Sequence, residues 1–395
     1  MRLLHTSDWH LGRWLMTASL VEHQRAFLGW LADLADERSV DAILVSGDVY
    51  DRAIPSVDAV RLLEAALVDL VGVCPVILIS GNHDSPTRLG FGGPLLESLA
   101  IHLRSSVDDI GRAIEIVGSD GVTVAVYGIP YLEPEVTRGQ LGAEKSHEAV
   151  LTAAMERVRD DLSTRREHAT TTGAPIPRAV VLSHSFIRGG SVSDSERDVS
   201  VGGIADAPAT VFHGVDYVAL GHLHGPQEIA NPGGPLVRYS GSPIAYSFSE
   251  ESHTKSVAIV DIDAQGHVIV DEVAAPVPRP LTTITGDLGD LLTDARLDEV
   301  EDHWIRAVVT DPRRPENAMD RLRSRFANAI ELSWVAHVDG QPVVAIDRRV
   351  DPVTATPVEV VVGFIEHVTG QPASEEERRL ADEAVERVRI METSS

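Results

Sequence analysis

Five short clusters of histidine, carboxylate and amide residues punctuate the chain, and each follows an apolar run. The first is Asp8-x-His10, after Arg2–Ser7. On an extended chain positions i and i+2 face the same way, so one metal ion can take both side chains. The second is Gly47-Asp48, after Ala42–Ser46, where the two carboxylate oxygens of Asp48 can bridge two cations. The third is Gly81-Asn82-His83-Asp84, after Val76–Ser80. Its glycine permits a tight turn, Asn82 offers a neutral amide oxygen, and His83 can point inward. His184 follows Ala179–Ser183, and Gly221-His222-Leu223-His224 sets two imidazoles just after Tyr217–Leu220. A lone histidine near a strand is more often a satisfied core or surface group. His5, His23, His102, His147, His168, His213, His253, His267, His303, His337 and His367 are read that way. The conjunction of the five clusters is different. Histidines and carboxylates from several strand ends, with one shared carboxylate, are what two divalent cations roughly 3.5–4 Å apart require to clamp a phosphate oxygen and activate water.

The segments between the clusters are those that would position them. Leu20–Glu37 and Val57–Leu70 read as helices between the first three strands, a βαβαβ rhythm that implies right-handed crossovers in one sheet. In such sheets functional residues gather at the carboxyl ends of strands, where these clusters fall. Further strands are predicted at Val122–Gly128, Ala179–Ser183 and Tyr217–Leu220, with a β-rich continuation at Leu236–Tyr239, Val257–Ile262 and Val268–Val273. Ala149–Glu167 reads as a charged helix, Thr170–Pro177 as a polar loop and Gly189–Gly203 as a long surface loop. Ala274-Ala275-Pro276-Val277-Pro278-Arg279-Pro280 is the clearest linker, because its prolines stiffen the chain and end the preceding strand. A small α+β unit is expected from Leu281 to about Arg349, and two helices at Pro357–Thr369 and Ala373–Met391.

With 395 residues, two or three folded units are expected. The opening residues run straight into a strand pattern without the basic head and apolar core of a secretion signal, and no apolar run approaches the roughly 20 residues that span a bilayer. The single cysteine, Cys74, has no partner for an internal disulfide and reads as a buried core thiol. Together these features predict a cytoplasmic, non-membrane protein. The net charge of −26 opposes a nucleic-acid partner bound by an extended basic face. Divalent cations would make the site locally positive all the same, and a partner subunit could supply the basic surface. Only Lys145 and Lys255 are lysines, so nearly all positive charge is arginine, the side chain suited to bidentate phosphate contacts.

The series Asp8-x-His10, Gly47-Asp48-x-x-Asp51, Gly81-Asn82-His83-Asp84, His184 and Gly221-His222-x-His224 resembles the calcineurin-like metallophosphoesterase superfamily. Longer strings are similar to its SbcD-type branch: Leu4-His5-Thr6-Ser7-Asp8-Trp9-His10-Leu11-Gly12, Ser195-Glu196-Arg197-Asp198-Val199-Ser200-Val201-Gly202-Gly203, and Tyr239-Ser240-Gly241-Ser242-Pro243 with Ser247-Phe248-Ser249-Glu250. The resemblance implies a four-layer α/β/β/α sandwich nuclease domain over residues 1–275, a small α+β capping domain over 281–349, and a helical segment over 352–395 that docks on an SbcC-like coiled-coil ATPase. It implies one metal on Asp8, His10, Asp48 and His224, and a second on Asp48, Asn82, His184 and His222. His83 is then the unligated histidine that handles phosphate or leaving group, with Asp84 orienting it. Mixed nitrogen and oxygen ligation without thiolates suits Mn²⁺ best, with Mg²⁺ or Fe²⁺ as alternatives. Double-stranded DNA ends (3′→5′ exonuclease) and hairpins or single strands (endonuclease) are the implied substrates, in DNA repair, recombination and replication. A homodimer of the nuclease within a heterotetramer is the implied assembly. Asp51-Arg52 and Arg197 are candidate phosphate contacts. A phosphatase or cyclic-nucleotide phosphodiesterase shares the metal core but leaves the C-terminal segments without a use. A non-catalytic scaffold leaves the complete ligand set without one.

Overall fold

The computed structural model describes residues 1–196, 206–335, 337–338, 341–342, 356–369 and 373–393. The chain divides into two compact units, Met1–Pro280 and Leu281–Ser395, with the proline run closing the first.

In the first unit the strands alternate between two apolar environments, which fixes a layered architecture. Leu4, Ile43, Val45, Val76 and Leu78 face the helices Val21–Glu37 and Val57–Val71. Their neighbours Leu3, Ala42, Leu44, Ile77 and Ile79 meet Val124, Val126, Val180, Leu182, Tyr217 and Ala219 of a second sheet. The opposite face of that sheet, with Ala125, Tyr127, Val181, Val218 and Leu220, packs on helix His147–Thr172 through Val150, Leu151, Ala154, Met155, Val158 and Leu162. Strands buried on both faces read as continuous apolar runs rather than polar alternation. The result is the four-layer α/β/β/α sandwich.

The first sheet runs Val268–Ala274, Ser256–Ile262, Arg2–Thr6, Ala42–Val45, Val76–Ile79 and Ile101–Arg104, the last four mutually parallel. The second runs Gln227–Ile229, Leu236–Tyr239, Tyr217–Gly221, Arg178–His184, Thr123–Ile129 and Ile114–Val117, with parallel pairing among the middle four. All five ligand-rich clusters therefore lie at or just beyond the carboxyl ends of parallel strands.

One predicted boundary needs correction. The helix expected over Ala149–Glu167 spans His147–Thr172, taking in residues assigned above to a loop. The Thr170, Thr171 and Thr172 hydroxyls each donate to the carbonyl four residues back, at 2.8 Å in every case, which satisfies them inside the helix. Gly173, at φ 73°, then ends it.

In the second unit, strands Leu281–Gly286, Trp304–Val309 and Ala329–Trp334 form a parallel sheet. Its core holds Ile284, Leu288, Leu291, Ile305, Ala307, Val309, Leu322 and Phe326. Helices Pro357–Thr369 and Glu375–Thr393 bury Val362 against Ala373 and Ala381. Three- and four-residue spacing puts Leu380, Ala384, Val385, Val388 and Met391 on one apolar stripe of the second of these helices, yet Leu380 is 52% exposed and its neighbour Ala381 is buried. The side chains of Val368, Val388 and Met391 lie outside the described residues, as does Arg197. Among the described residues no helix is long and apolar enough to cross a membrane.

Candidate metal centre

The strand ends meet through hydrogen bonds between the two sheets. Ser46 Oγ donates to Ala219 O at 2.8 Å, and His184 Nδ1–H donates to Ser46 O at 2.9 Å. Two glycines make this approach possible. A Cβ on Gly221 would lie 1.9 Å from Ser46 O, and one on Gly81 would lie 2.1 Å from Asp48 Oδ1. The backbone is strained where the ligand types sit. Asp8 (φ 55°), His10 (φ 43°), Asp48 (φ 48°) and His222 (φ 112°) all occupy the left-handed side, at a cost of about 1–3 kcal/mol apiece. Packing offsets that cost: Asp8 N–H donates to Gly47 O at 3.0 Å and His10 N–H to Asp48 O at 2.9 Å.

Among the described residues, three groups of buried side chains present ligand atoms within 4.8 Å of one another: Asp8, His10 and His224; His10, Asp48 and His83; and Asp8, Asp48 and His184. His10 Nε2 lies 3.2 Å from His224 Nε2 and 3.6 Å from Asp48 Oδ2. Asn82 Oδ1 lies 2.8 Å from His184 Nε2 and 3.1 Å from His222 Nδ1. The His184 ring carries a specific message. Its Nδ1–H is committed to Ser46 O, so in the neutral ring Nε2 is a bare lone pair. That lone pair faces the Asn82 amide oxygen and, at 3.5 Å, the Asp48 carboxylate. Acceptors converging in this way fit a cation between them. His10 Nδ1 is buried without a hydrogen bond, 3.7 Å from the Asp51 carboxylate.

The electrostatics agree with that chemistry. Burial, joined by neighbouring histidines, lowers the His10, His184 and His222 imidazoles below their ordinary value, His222 to about 3, so they stay neutral and available as ligands. Burial and the nearby Asp48 raise Asp8 well above the usual carboxylate range. Burial pushes Asp48 upward too, but His184, His83 and the His83 N–H donor outweigh it and hold Asp48 below its ordinary value. Two carboxylates crowded together among buried imidazoles are the arrangement that divalent cations relieve.

His83 is placed among the same groups, with Nε2 4.0 Å from Asp48 Oδ2. Its orienting partner differs from the expectation. His83 Nδ1–H donates to the Asp51 carbonyl at 2.8 Å, whereas the Asp84 carboxylate accepts backbone N–H groups from Val49, Tyr50 and Gly81 at 3.0, 2.8 and 2.9 Å. Asp84 thus ties the second and third clusters together and acts on His83 through the backbone. Burial and Asp48 raise it to about 7, against the pull of those three donors. The Asp51 carboxylate meets Arg13 at 3.3 Å and Arg52 at 3.5 Å, and the Arg52 side chain is 81% exposed.

Several residues around His224 escaped the reading of chemistry from spacing. Ser195 Oγ lies 2.6 Å from His224 Nδ1, Glu250 Oε1 lies 3.3 Å from the same atom, and Lys255 pairs with Glu250. Glu196 Oε1 accepts the His224 backbone N–H at 2.8 Å. The strings containing Ser195 and Glu250 stand out in the sequence only through the family resemblance. Burial opposes the Glu250 charge, but His224 and Lys255 together bring its pKa down to about 2.

Comparison with known proteins agrees with this geometry. Residues 1–226 match the calcineurin-like phosphoesterase family, and residues 277–369 match a family described as the type 5 capsule protein repressor C-terminal domain. The SbcD component of the nuclease SbcCD of Staphylococcus epidermidis is 27% identical over 381 residues, 95% of this chain and 95% of that protein. A dimetal phosphatase from Danio rerio superposes with a TM-score of 0.40 at 14% identity, covering 69% of this chain and 96% of that one, a likeness too low to bear on function. With five ligand-rich strand ends gathered in a buried cluster and the family match extending over more than half its length, the chain belongs to the calcineurin-like phosphoesterases.

Proposed function

We propose that this chain is the metal-dependent nuclease subunit of an SbcCD-type complex, hydrolysing phosphodiester bonds at DNA ends and hairpins beside a coiled-coil ATPase in the cytoplasm. The observation that carries this reading is the likeness to the SbcD component of a nuclease SbcCD over 95% of both chains, which extends well past the phosphoesterase match at residues 1–226. A phosphatase or cyclic-nucleotide phosphodiesterase would account for the first 226 residues alone.

The residues that would hold two divalent cations are Asp8, His10, Asp48 and His224 for one, and Asp48, Asn82, His184 and His222 for the other, with Mn²⁺ the best match to the donor set. When bound, such a pair supplies an activated water and neutralises the charge that develops on the phosphoryl group. The protein's own contribution is position and proton handling. His83 commits Nδ1–H to the Asp51 carbonyl, so Nε2 is the atom turned to substrate. Protonated there, it donates to a phosphoryl oxygen or to the departing sugar oxygen. Asp84 fixes the loop that carries it by holding three backbone N–H groups. On this reading residues 281–349 cap the site and residues 352–395 bind the ATPase.

The test compares purified protein with Mn²⁺ on a DNA hairpin, a double-stranded end, a generic phosphomonoester and a cyclic nucleotide. Hairpin and end cleavage, polarity 3′→5′ on the latter, is the expected result. Turnover of the phosphomonoester or cyclic nucleotide without cleavage of DNA would establish the rival activity, and no turnover of any substrate would leave only a scaffold role.

A further inference from the structure

His224 is gripped at three points. Its backbone N–H reaches Glu196, its carbonyl accepts from Lys255 Nζ at 3.0 Å, and its Nδ1 meets Ser195 Oγ at 2.6 Å. The Ser195 hydroxyl in turn donates to Glu250 Oε1, which also lies 3.3 Å from Nδ1. A hydroxyl that donates to a carboxylate has its lone pairs free to accept, so Nδ1 must carry the proton. The chain of donation runs from Nδ1–H to Ser195 and on to Glu250. It leaves Nε2 bare and turned towards His10.

Glu250 and Lys255 are 1% and 2% exposed. Such a pair is costly to desolvate and stabilises a fold weakly when a packed apolar pair could replace it. Lys255 nevertheless spends its three ammonium hydrogens on Glu250 Oε2, Ser242 Oγ at 2.9 Å and the His224 carbonyl. Two of those contacts bear on His224, one at its backbone carbonyl and one through the carboxylate beside its ring.

We propose that Glu250, locked by Lys255 and relayed through the Ser195 hydroxyl, is the positioning residue that sets the tautomer and aim of His224 as a metal ligand. The inference rests on the metal-binding reading given above. A carboxylate behind a ligating imidazole raises its basicity and fixes its ring, and loss of such a partner costs about 10–100-fold in metal affinity.

The experiment is a calorimetric Mn²⁺ titration of the full chain, beside thermal unfolding in EDTA. Wild type should bind two Mn²⁺. In Glu250→Gln one Mn²⁺ should weaken by about 10–100-fold while the other stays within about threefold. The double variant Glu250→Gln/Lys255→Met removes the charge of both partners, so it should recover unfolding temperature but not Mn²⁺ affinity. Ser195→Ala, which cuts the relay from a loop and leaves the pair intact, should weaken the same Mn²⁺ in a folded protein and serves alone if the Gln variant fails to fold. Unchanged affinity in either folded single variant, or affinity restored in the double variant, would overturn the inference and leave the metal site standing. Absence of Mn²⁺ binding by wild type would overturn both.

Discussion

Like His184, His83 commits Nδ1–H to a backbone carbonyl, but His184 Nε2 lies 2.8 Å from Asn82 Oδ1 and 3.5 Å from Asp48, closer than His83 Nε2 comes to that carboxylate. His83 Nδ1 is spent on the Asp51 carbonyl, and its Nε2 stands 4.0 Å from Asp48. His83→Ala should therefore retain two Mn²⁺ and lose hydrolysis by about 10²–10⁴-fold, the usual contribution of a positioned acid or base. Metal analysis and cleavage on one sample check it, and loss of a metal or near-normal turnover would contradict the role. His5 offers a separate reading of burial, outside the cluster. Its ring is buried between the Tyr217 hydroxyl (2.9 Å) and the Leu220 carbonyl (3.1 Å), and desolvation lowers its pKa to about 3. Between about 6.5 and 3 the unfolded chain binds a proton at this residue that the folded one does not, so stability falls as pH falls through that window. His5→Gln should flatten the slope of urea stability against pH in EDTA below pH 6.5 by about 1.4 kcal/mol per pH unit. A slope equal to wild type would show that His5 is protonated in the fold. At this scale the sequence named the residues that converge, because their types are rare together. It did not name the hydrogen-bond partners. A backbone carbonyl such as that of Asp51 carries no side-chain signature, and Glu250 reaches His224 from outside every ligand-rich cluster.

The central strands were legible because a run such as Ala42–Val45 or Val76–Ile79 is apolar on both faces, and the layers follow from that burial. Short edge strands such as Ile114–Val117 and Gln227–Ile229 were not, since three or four residues with one exposed face are too few for a pattern. The Thr170–Thr172 turn was misread for a related reason: β-branched hydroxyl residues favour loops until their hydroxyls find the carbonyls of the preceding turn. Glycines at strand ends were legible as turns, but their sharper role is the approach of one sheet to the other. Gly221→Ala puts a Cβ 1.9 Å from Ser46 O, the acceptor that fixes His184. The substitution should destabilise the fold by about 3 kcal/mol and weaken Mn²⁺ binding together. Calorimetric unfolding and a Mn²⁺ titration check it, and full stability with full metal affinity would refute the close approach.

The whole chain carries a net charge of −26, so on the proposed function cations held at the cluster would offset the local negative charge where a polyanion approaches. Its two units divide at the proline run after Ala275, a boundary legible in the sequence because proline ends strands and stiffens linkers. Less legible was which residues of the C-terminal helices are buried: spacing alone puts Leu380 on the apolar stripe, yet Leu380 is exposed and its neighbour Ala381 packs with Val362 and Ala373. If the tail serves a partner rather than the nuclease, deletion of residues 352–395 should leave a metal-loaded enzyme active on simple DNA but unable to co-purify with the ATPase. Undiminished co-purification, or collapse of the nuclease fold, would contradict that. On the proposed ligand set, both metal positions would depend on one shared carboxylate. Asp48 contributes to two of the three ligand groups and lies beside His10, His83 and His184. The most direct measurement is Mn²⁺ content per chain together with DNA hairpin cleavage for wild type and Asp48→Ala. Two Mn²⁺ with cleavage in wild type, and loss of occupancy at both positions with no cleavage in the variant, is the predicted result. An Asp48→Ala protein that keeps two Mn²⁺, or that still cuts the hairpin, would contradict it.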